Sequence, residues 1–181
     1  FLVGPDEALW FTTVPIQGRN AIGRITTSGA ITLYPQQDAK RVARSLTVGP
    51  DGALWFINQT EFDGSLIGRI TTDGQITEYL PTPLGVSMRD LQAGPDGALW
   101  FLESSGGGIR LGRITTTGNF SYFPIQTSDQ SIALVLGSDG AFWFSQAGNQ
   151  ESGKISRITT EGVQTDYPLP AGTRAARDII V

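Results

Sequence analysis

The stretch that decides the fold is Gly-Pro-Asp-Gly-Ala-Leu-Trp-Phe at residues 49–56, which recurs unchanged at 94–101. Two altered copies lie at 4–11, where Glu7 replaces a glycine, and at 137–144. The copies start at residues 4, 49, 94 and 137, so they lie 45, 45 and 43 residues apart. A second phrase, Ile-Gly-Arg-Ile-Thr-Thr, keeps step with the first, with related copies at 22–27, 67–72, 111–116 and 155–160. A fixed period of this length indicates a repeat protein.

One repeat contains four short apolar segments separated by turn residues. In the second unit the predicted strands are 45–48, 53–57, 67–71 and 75–79, with tight turns at Pro50-Asp51-Gly52 and Thr72-Asp73-Gly74. Four antiparallel strands in about 44 residues are typical of a β-propeller blade. The sequence therefore predicts an all-β propeller of four four-stranded blades, either a whole small ring or part of a larger one. The single array spans 1–181, with blades at about 1–43, 44–88, 89–131 and 132–176 and an extra innermost strand at 177–181.

Aromatic residues recur at fixed places in every unit, and we expect them to form the core between blades. A large buried ring removes about 150–250 Å² of surface from water. Since strand residues alternate between faces, each Trp and the Phe after it should point to opposite sides of the blade. The arginine of the second phrase also recurs, so we predict a structural role for it, bonding the turn aspartate or a neighbouring blade. The recurring rings are Trp10, Trp55, Trp100 and Trp143, the Phe that follows each, and Tyr34, Tyr79, Phe123 and Tyr167.

Composition excludes several classes of function. The chain of 181 residues has a net charge of −4 and a sequence pI of about 4.7, which gives no reason to expect a nucleic-acid partner. It contains no cysteine and no histidine, so disulfides and imidazole chemistry are excluded. No apolar run approaches the length of a membrane span, and a membrane partner is not expected either.

Loop lengths indicate which end of the blades carries a ligand. The turns between first and second strands and between third and fourth strands are short in every unit. The loops 12–21, 58–66, 103–110 and 146–154, and the connections between units, are longer and vary. In up-and-down blades these longer loops lie at one end, which we call the long-loop end. Variable loops on a rigid scaffold usually bind ligands, so any site is predicted there.

Two groups of residues are candidates for that site. Arg44, Arg89 and Arg177 begin innermost strands and could together hold an anion or a carboxylate, although solvated side chains bonded to loop carbonyls are the alternative. The second group follows each Trp-Phe pair by two residues. Its alternative role is hydrogen bonding to the loop backbone. It comprises Thr13, Asn58, Glu103 and Gln146.

The repeated phrases at 49–56 and 67–79 resemble those of the virginiamycin B lyase (streptogramin lyase) family over essentially the whole chain. The resemblance implies a seven-bladed propeller. It also implies a carbon–oxygen lyase that opens cyclic depsipeptide antibiotics by Mg-dependent elimination, with a histidine in the acid–base step and glutamates on the metal. The chain departs from that pattern. Arg44, Arg89, Ile132 and Arg177 stand where the family often has a histidine phrase, and only Glu103 matches the recurring glutamate.

Three functions are therefore carried forward. The first is a non-catalytic propeller scaffold or binding module for a small anionic or peptide ligand, without a cofactor. The second is a fragment or subunit of a streptogramin lyase-like enzyme, which would need Mg²⁺ and for which Glu103 is the one weak metal candidate. The third is a self-assembling unit. Since 177–181 and 1–3 are both copies of the innermost strand, either the last strand closes a four-blade ring, or further blades or other chains complete it. The resemblance and the absence of cysteine favour a secreted or periplasmic location.

Overall fold

The structure is a computed structural model that describes residues 1–13, 20–38, 40–60, 64–81, 84–106, 108–125, 131–147 and 153–173. Side chains are described over the same ranges except at 131 and 132. Within these ranges the regular structure is sixteen β-strands in four sheets. No helix in the described part of the chain is long and apolar enough to cross a membrane. The predicted terminal strand 177–181 lies outside the described residues.

Each sheet is one blade of four consecutive antiparallel strands. Blade 1 contains β1 (Leu2–Val3), β2 (Leu9–Thr12), β3 (Ala21–Ile25) and β4 (Ile31–Pro35). Blade 2 contains β5 (Val42–Val48), β6 (Leu54–Gln59), β7 (Ser65–Ile70) and β8 (Ile76–Tyr79). Blade 3 contains β9 (Ser87–Ala93), β10 (Ala98–Ser105), β11 (Gly108–Thr115) and β12 (Phe120–Pro124). Blade 4 contains β13 (Ser131–Leu136), β14 (Phe142–Gln146), β15 (Lys154–Ile158) and β16 (Gln164–Pro168).

This arrangement confirms the predicted four-bladed, all-β architecture. Strands β5, β9 and β13 contact one another in turn, so the first strand is the innermost in blades 2, 3 and 4. One predicted loop is wrong. Residues 103–110 were expected to form a loop, but β10 and β11 continue through them, with Glu103 opposite Arg110 and Ser105 opposite Gly108. Asn58 and Gln59 likewise extend β6. Polar side chains do not prevent residues 103–110 from pairing as strands, because the pairing uses backbone hydrogen bonds and the side chains at a strand end can face other polar groups.

Trp and Phe on the second strand of each blade point to opposite faces, as predicted. Trp10 packs against Leu54 and Phe56 of blade 2, and Trp100 packs against Phe142 and Phe144 of blade 4. The Trp face of one blade thus covers the Phe face of the next blade. Trp10, Trp55 and Trp100 are completely buried, whereas Trp143 in blade 4 is only half-buried. Each Trp also stacks on the fourth-strand aromatic ring of its own blade, with centroid distances of 5.3–5.6 Å.

A repeated polar clamp fixes each Trp to the turn between the first two strands. In blade 2 the indole Nε1 of Trp55 donates to Asp51 Oδ1 at 2.9 Å, and Arg69 Nε donates to Asp51 Oδ2 at 2.6 Å. The same three residue types make the same two bonds in the other blades. The clamp satisfies the only donor of a buried indole. It confirms the structural role predicted for Arg24, Arg69, Arg113 and Arg157 and selects the turn aspartate as the partner.

The clamp also sets the charge state of the aspartates. Burial raises the pKa of Asp51, but hydrogen bonds from Trp55 and Arg69 outweigh it and hold that pKa below its ordinary value of 3.8. In blade 4 the hydrogen bonds from Arg157 and Trp143 lower the pKa of Asp139 to about 2. A carboxyl group whose pKa is lower in the folded state stabilises the fold above its unfolded pKa. That contribution disappears as the pH falls through the folded pKa.

We predict that Asp51→Asn lowers the free energy of unfolding at pH 7 by about 1–3 kcal/mol, because a charge-assisted bond to Arg69 is lost. Urea unfolding at pH 7 and at several values between pH 4 and pH 2 measures the effect. The wild type should lose stability over that interval more steeply than the variant. Equal slopes for the two proteins would contradict the role of Asp51. Asp139→Asn is the comparison variant. Although the pKa of Asp139 is lowered to about 2, its side chain is 39% exposed against 18% for Asp51, so screening by solvent should make its effect smaller.

Candidate functional site

The polar position two residues after each Trp-Phe pair is buried in three of the four blades. Asn58, Glu103 and Gln146 are almost completely inaccessible to solvent, and each lies toward the preceding blade. Thr13 hydrogen-bonds to the backbone of Ala21, which is the alternative role given above for this position. In the other three blades the expectation of a backbone partner is wrong. Their hydrogen-bond partners are side chains, because the strands continue through the predicted loops and bring polar residues of the third and fourth strands within reach.

Asn58 belongs to a network that joins blades 1 and 2. Its Nδ2 donates to Gln36 Oε1 at 3.0 Å and to Glu78 Oε1 at 3.1 Å. Arg41, on the connection between the blades, donates to Glu78 Oε2 at 2.5 Å. Every charge in this network has a partner of opposite sign, so the network mainly holds the first connection against blade 2. Because both hydrogen bonds of Asn58 Nδ2 go to protein side chains, we assign Asn58 a structural role.

Gln146 occupies the same position in blade 4 and is enclosed in a similar way. It donates to Ser156 Oγ at 2.6 Å, and Ser156 donates to Asp166 Oδ1 at 2.6 Å. Lys154 pairs with Asp166 at 2.5 Å. Burial raises the pKa of Asp166. Hydrogen bonds from Gln164, Lys154 and Ser156 lower that pKa by more, so it lies below its ordinary value. This network uses both oxygens of its carboxylate.

Glu103 differs from these two residues because its unpartnered oxygen belongs to a charged carboxylate. Asn58 Oδ1 is also buried without a hydrogen-bond partner, but it is a neutral amide oxygen. Its side chain is 0% exposed, and Arg110 Nε donates to its Oε1 at 2.5 Å. The guanidinium of Arg110 lies over the ring of Tyr122, 3.6 Å from the centroid, which holds it in place. Glu103 Oε2 is buried and makes no hydrogen bond within the protein. A buried carboxylate oxygen in this state can still accept one further hydrogen bond.

The unpartnered oxygen belongs to a residue that lines a cleft at the long-loop end of blade 3. This cleft has a volume of about 140 Å³, and its polar lining comes from Ser87, Arg89, Glu103 and Ser104. The structure thus brings together two of the predicted site residues, Arg89 and Glu103. A carboxylate and a guanidinium in one small cleft can bind a group that both donates and accepts hydrogen bonds.

The innermost strand of blade 3 has an irregular geometry next to this cleft. The pairing of β9 with β10 shifts register between Arg89 and Gln92, and Asp90 has φ of 56°. β5 has the same irregularity after Arg44, where Ser45 has φ of 49°. Bulges of this kind redirect neighbouring side chains and are frequent beside functional sites. Burial raises the pKa of Asp90, although the charge of Arg89 and a backbone hydrogen bond with Leu134 oppose the shift.

The other two predicted arginines are placed differently. Arg44 occupies the position in β5 that Arg89 occupies in β9, opposite Ile57 as Arg89 is opposite Leu102, and its side chain is exposed. Arg177 lies outside the described residues. A joint anion site of the three arginines therefore stays a prediction. A second, wider cleft of about 450 Å³ lies at the long-loop end of blade 2, where Arg41 and Thr60 face the exposed Leu80 and Leu84.

Sequence reasoning missed the partners of the candidate residues. Arg110, Tyr122 and Asp90 were not singled out, because their proximity depends on strand register that the predicted loop at 103–110 obscured. Two signals could have indicated them. The dipeptide Arg-Asp occurs at 89–90 and again at 177–178 at the start of an innermost strand. Arg110 also falls opposite Glu103 once β10 and β11 are extended.

The cleft is a poor site for Mg²⁺. Its one carboxylate already carries a guanidinium on Oε1, and a cation beside Arg110 would be repelled. In the described part of the chain no three acidic side chains come close enough together to hold a metal ion. The Mg²⁺ expected from the lyase resemblance therefore does not fit the residues that surround Glu103, and no reaction step is assigned to it.

Comparison with known proteins places this scaffold in a family. The whole chain, residues 1–181, matches the model of the Virginiamycin B lyase family. The chain belongs to this family. Among curated protein sequences, none matches it.

Solved structures of virginiamycin B lyase share its fold. The enzyme from Staphylococcus aureus is 36% identical, with a TM-score of 0.74 over 93% of this chain and 54% of the enzyme's chain. A structure of streptogramin B lyase gives 35% identity and a TM-score of 0.73 over 93% and 53% of the two chains. Puromycin hydrolase, at 13% identity and a TM-score of 0.68 over 93% of this chain and 28% of its own, shares the fold alone. This family member thus spans about half the length of the lyases that it matches.

We predict that Arg110→Ala destabilises this family member by about 3 kcal/mol, because it leaves the buried charge of Glu103 without a partner. The double variant Glu103→Gln/Arg110→Ala should recover part of that loss, because the unpaired charge is gone. Urea unfolding of the wild type, both single variants and the double variant gives the coupling energy. Additive effects of the two substitutions would show that Glu103 and Arg110 do not interact.

Proposed function

We propose that this virginiamycin B lyase family chain is a ligand-binding β-propeller scaffold whose ligand face is the long-loop end. The observation that carries the proposal is the buried, unpartnered Oε2 of Glu103, a residue that lines the same cleft as Arg89. A protein that leaves an acceptor unsatisfied in its interior loses stability, typically by about 1–3 kcal/mol. A ligand that donates a hydrogen bond to that oxygen recovers this energy on binding.

The chemistry of the cleft selects the class of ligand. Glu103 Oε2 accepts a hydrogen bond from an amide N–H or a hydroxyl group, and Arg89 donates to a carbonyl or carboxylate oxygen. A compact cyclic peptide offers both groups along its backbone. A solved structure of a catalytically inactive virginiamycin B lyase contains quinupristin, so a streptogramin of this type is the natural probe.

The residues of the cleft favour ligand binding without catalysis. The chain has no histidine. Glu103, the one glutamate at the position where the family often has one, is held by Arg110 rather than placed as a base. At neutral pH no other side-chain type has an unperturbed pKa suited to both donating and accepting a proton. We therefore assign the described residues to binding and positioning.

The alternative is that the chain is a fragment or subunit of a streptogramin B lyase. The 36% identity to virginiamycin B lyase, over 54% of that enzyme, supports this alternative. In that case the acid–base residues and the Mg²⁺ ligands would come from polypeptide beyond this sequence.

Isothermal calorimetry with quinupristin tests the binding proposal. We predict that the wild type binds the peptide and that Arg89→Ala and Glu103→Gln each weaken binding about tenfold, because each removes one charged hydrogen-bonding group. Lys40→Ala is the matched control: it also removes a charge, but Lys40 is an exposed loop residue outside the cleft. No heat of binding by the folded wild type, or an equal loss in the Lys40 variant, would contradict the proposal.

Chromatography with mass spectrometry separates binding from catalysis. Incubation of quinupristin with the protein and Mg²⁺ should leave its retention and mass unchanged if the chain only binds. Elimination would open the ring to a product of the same mass but different retention. Hydrolysis would add the mass of one water. Ring opening by elimination would favour the lyase alternative and overturn the non-catalytic assignment.

A further inference from the structure

Arg89, the cation that lines the cleft of blade 3, has an acidic residue directly beside it. Asp90 follows Arg89 in β9, and its Oδ2 lies 4.0 Å from Arg89 Nε. Consecutive residues of a regular strand point to opposite faces, which would keep two such side chains apart. The register shift in β9 and the φ of 56° at Asp90 interrupt that alternation. The irregular strand thus brings the two opposite charges together.

Contacts with blade 4 hold Asp90 in this position. The backbone N–H of Leu134 in β13 donates to the Asp90 carboxylate. Two residues further along β9, Gln92 Nε2 donates to the carbonyl oxygen of Leu134 at 2.7 Å. The N–H of Leu136 donates to Gln92 Oε1 at 2.9 Å. The Asp90 carboxylate is therefore anchored to β13 on one side and faces Arg89 on the other.

The irregular backbone does not require an aspartate. In blade 2, Arg44 occupies the position of Arg89, and the uncharged Ser45 occupies that of Asp90. Ser45 has φ of 49°, close to the value at Asp90, and the register of β5 shifts at the same place. A positive φ is unfavourable for both residue types. Since a serine is sufficient for this geometry, the charge of Asp90 serves another purpose than shaping the strand.

The most direct effect of Asp90 is on the charge of Arg89. Asp90 Oδ2 is buried and makes no hydrogen bond within the described part of the chain. Burial raises the pKa of Asp90, and the positive charge of Arg89 opposes that rise. Opposite charges at this separation interact appreciably even near a protein surface. The positive potential that Arg89 presents to the cleft is therefore reduced.

The charges at the cleft thus form two pairs of opposite sign. Arg110 Nε donates to Glu103 Oε1 at 2.5 Å, and Arg89 is accompanied by Asp90. A carboxylate bound to Arg89 would add a negative charge close to the carboxylates of Asp90 and Glu103. An amide carbonyl can accept the same hydrogen bond from Arg89 without adding a charge. Repulsion by the two carboxylates therefore disfavours an anion and leaves a neutral acceptor unaffected.

We propose that Asp90 determines the ligand specificity of this cleft: by offsetting the charge of Arg89, it makes the cleft prefer an uncharged carbonyl group to a carboxylate or another anion. The ligand is then an uncharged peptide, which offers an N–H to Glu103 Oε2 and a carbonyl oxygen to Arg89. This inference rests on the proposed binding function and narrows it. A peptide ring without a free carboxylate fits the cleft better than the same peptide opened to an acid.

Two probes that differ in a single group test this preference. N-acetylglycine N-methylamide is neutral, whereas N-acetylglycine carries a carboxylate at pH 7. Titration of each probe, followed by NMR shifts of the Arg89 backbone and side-chain N–H groups, gives the two dissociation constants. The wild type should bind the neutral probe more tightly. Asp90→Asn should strengthen binding of the anionic probe about fivefold and change that of the neutral probe by less than about twofold, because one opposing charge is removed.

Asp73→Asn is the matched control. It also removes one negative charge, but Asp73 is exposed in the tight turn between β7 and β8, at the end of the blade opposite the cleft, so both constants should stay unchanged. Asp90→Gly is the second variant. It removes the carboxylate and suits the positive φ, so it should give the same gain for the anion even if the asparagine variant does not fold.

The outcomes separate the role of Asp90 from the binding function. If the Asp90 variants leave the ratio of the two constants unchanged, or Asp73→Asn changes it equally, the role of Asp90 is overturned while binding stands. If the wild type binds neither probe but the Asp90 variants bind the anion, the role of Asp90 is supported and the proposed function fails. Binding of neither probe by any of these proteins would overturn both.

A measurement without ligand tests the charge pair itself. Carboxyl ¹³C NMR titration should show that Arg89→Ala raises the pKa of Asp90, because the positive charge that lowers this pKa is gone. Asp90 should be ionised at pH 7 in the wild type. An unchanged pKa in the Arg89 variant, or a protonated Asp90 at pH 7 in the wild type, would overturn the proposal.

Discussion

A propeller blade has two apolar faces and cannot bury either of them by itself, and this constraint governs the rest of the structure. Every blade places a Trp on one face and a Phe on the other, so that neighbouring blades cover each other. The turn aspartate fixes the Trp through its indole nitrogen, and the third-strand arginine fixes the aspartate. The polar clamp thereby holds the ring at the position where the next blade needs it.

The repeated seam also explains where the chain can vary. Core positions recur because each must fit the next blade, but the residue two positions after Trp-Phe lies at the end of the strand, where the seam meets the long-loop end. Asn58 and Gln146 are enclosed in polar networks there, whereas Glu103 is a charged carboxylate with one oxygen that has no partner. One scaffold position has thus become a structural bond in two blades and a candidate binding group in a third. The likeness to virginiamycin B lyase concerns the scaffold throughout, whereas the candidate site depends on a few such variable positions.

The candidate site was predicted only in part, and the reason lies in strand register. Arg89 and Glu103 were selected from their places in the repeat, and they line the same cleft. Arg110 and Tyr122 were not selected, although they hold Glu103 in place. The predicted loop at 103–110 hid the pairing of Glu103 with Arg110, because local polarity favoured a loop while cross-strand hydrogen bonds favoured strands. Arg44 and Arg89 share a position in the repeat, yet one is exposed and the other lines a cleft.

The sequence by itself determined the blade, its four strands, its two turns and the opposite directions of Trp55 and Phe56. These features depend on local chemistry, namely turn residues and the alternation of side chains along a strand. The same pattern occurs in all four units of the repeat. Only the tertiary structure decided which equivalent residues are buried. Leu9 and Leu54 occupy the same place in their blades, but only Leu54 has a blade packed against it. Burial and the partners of Glu103 depend on neighbours that are distant in sequence, and no local pattern encodes them.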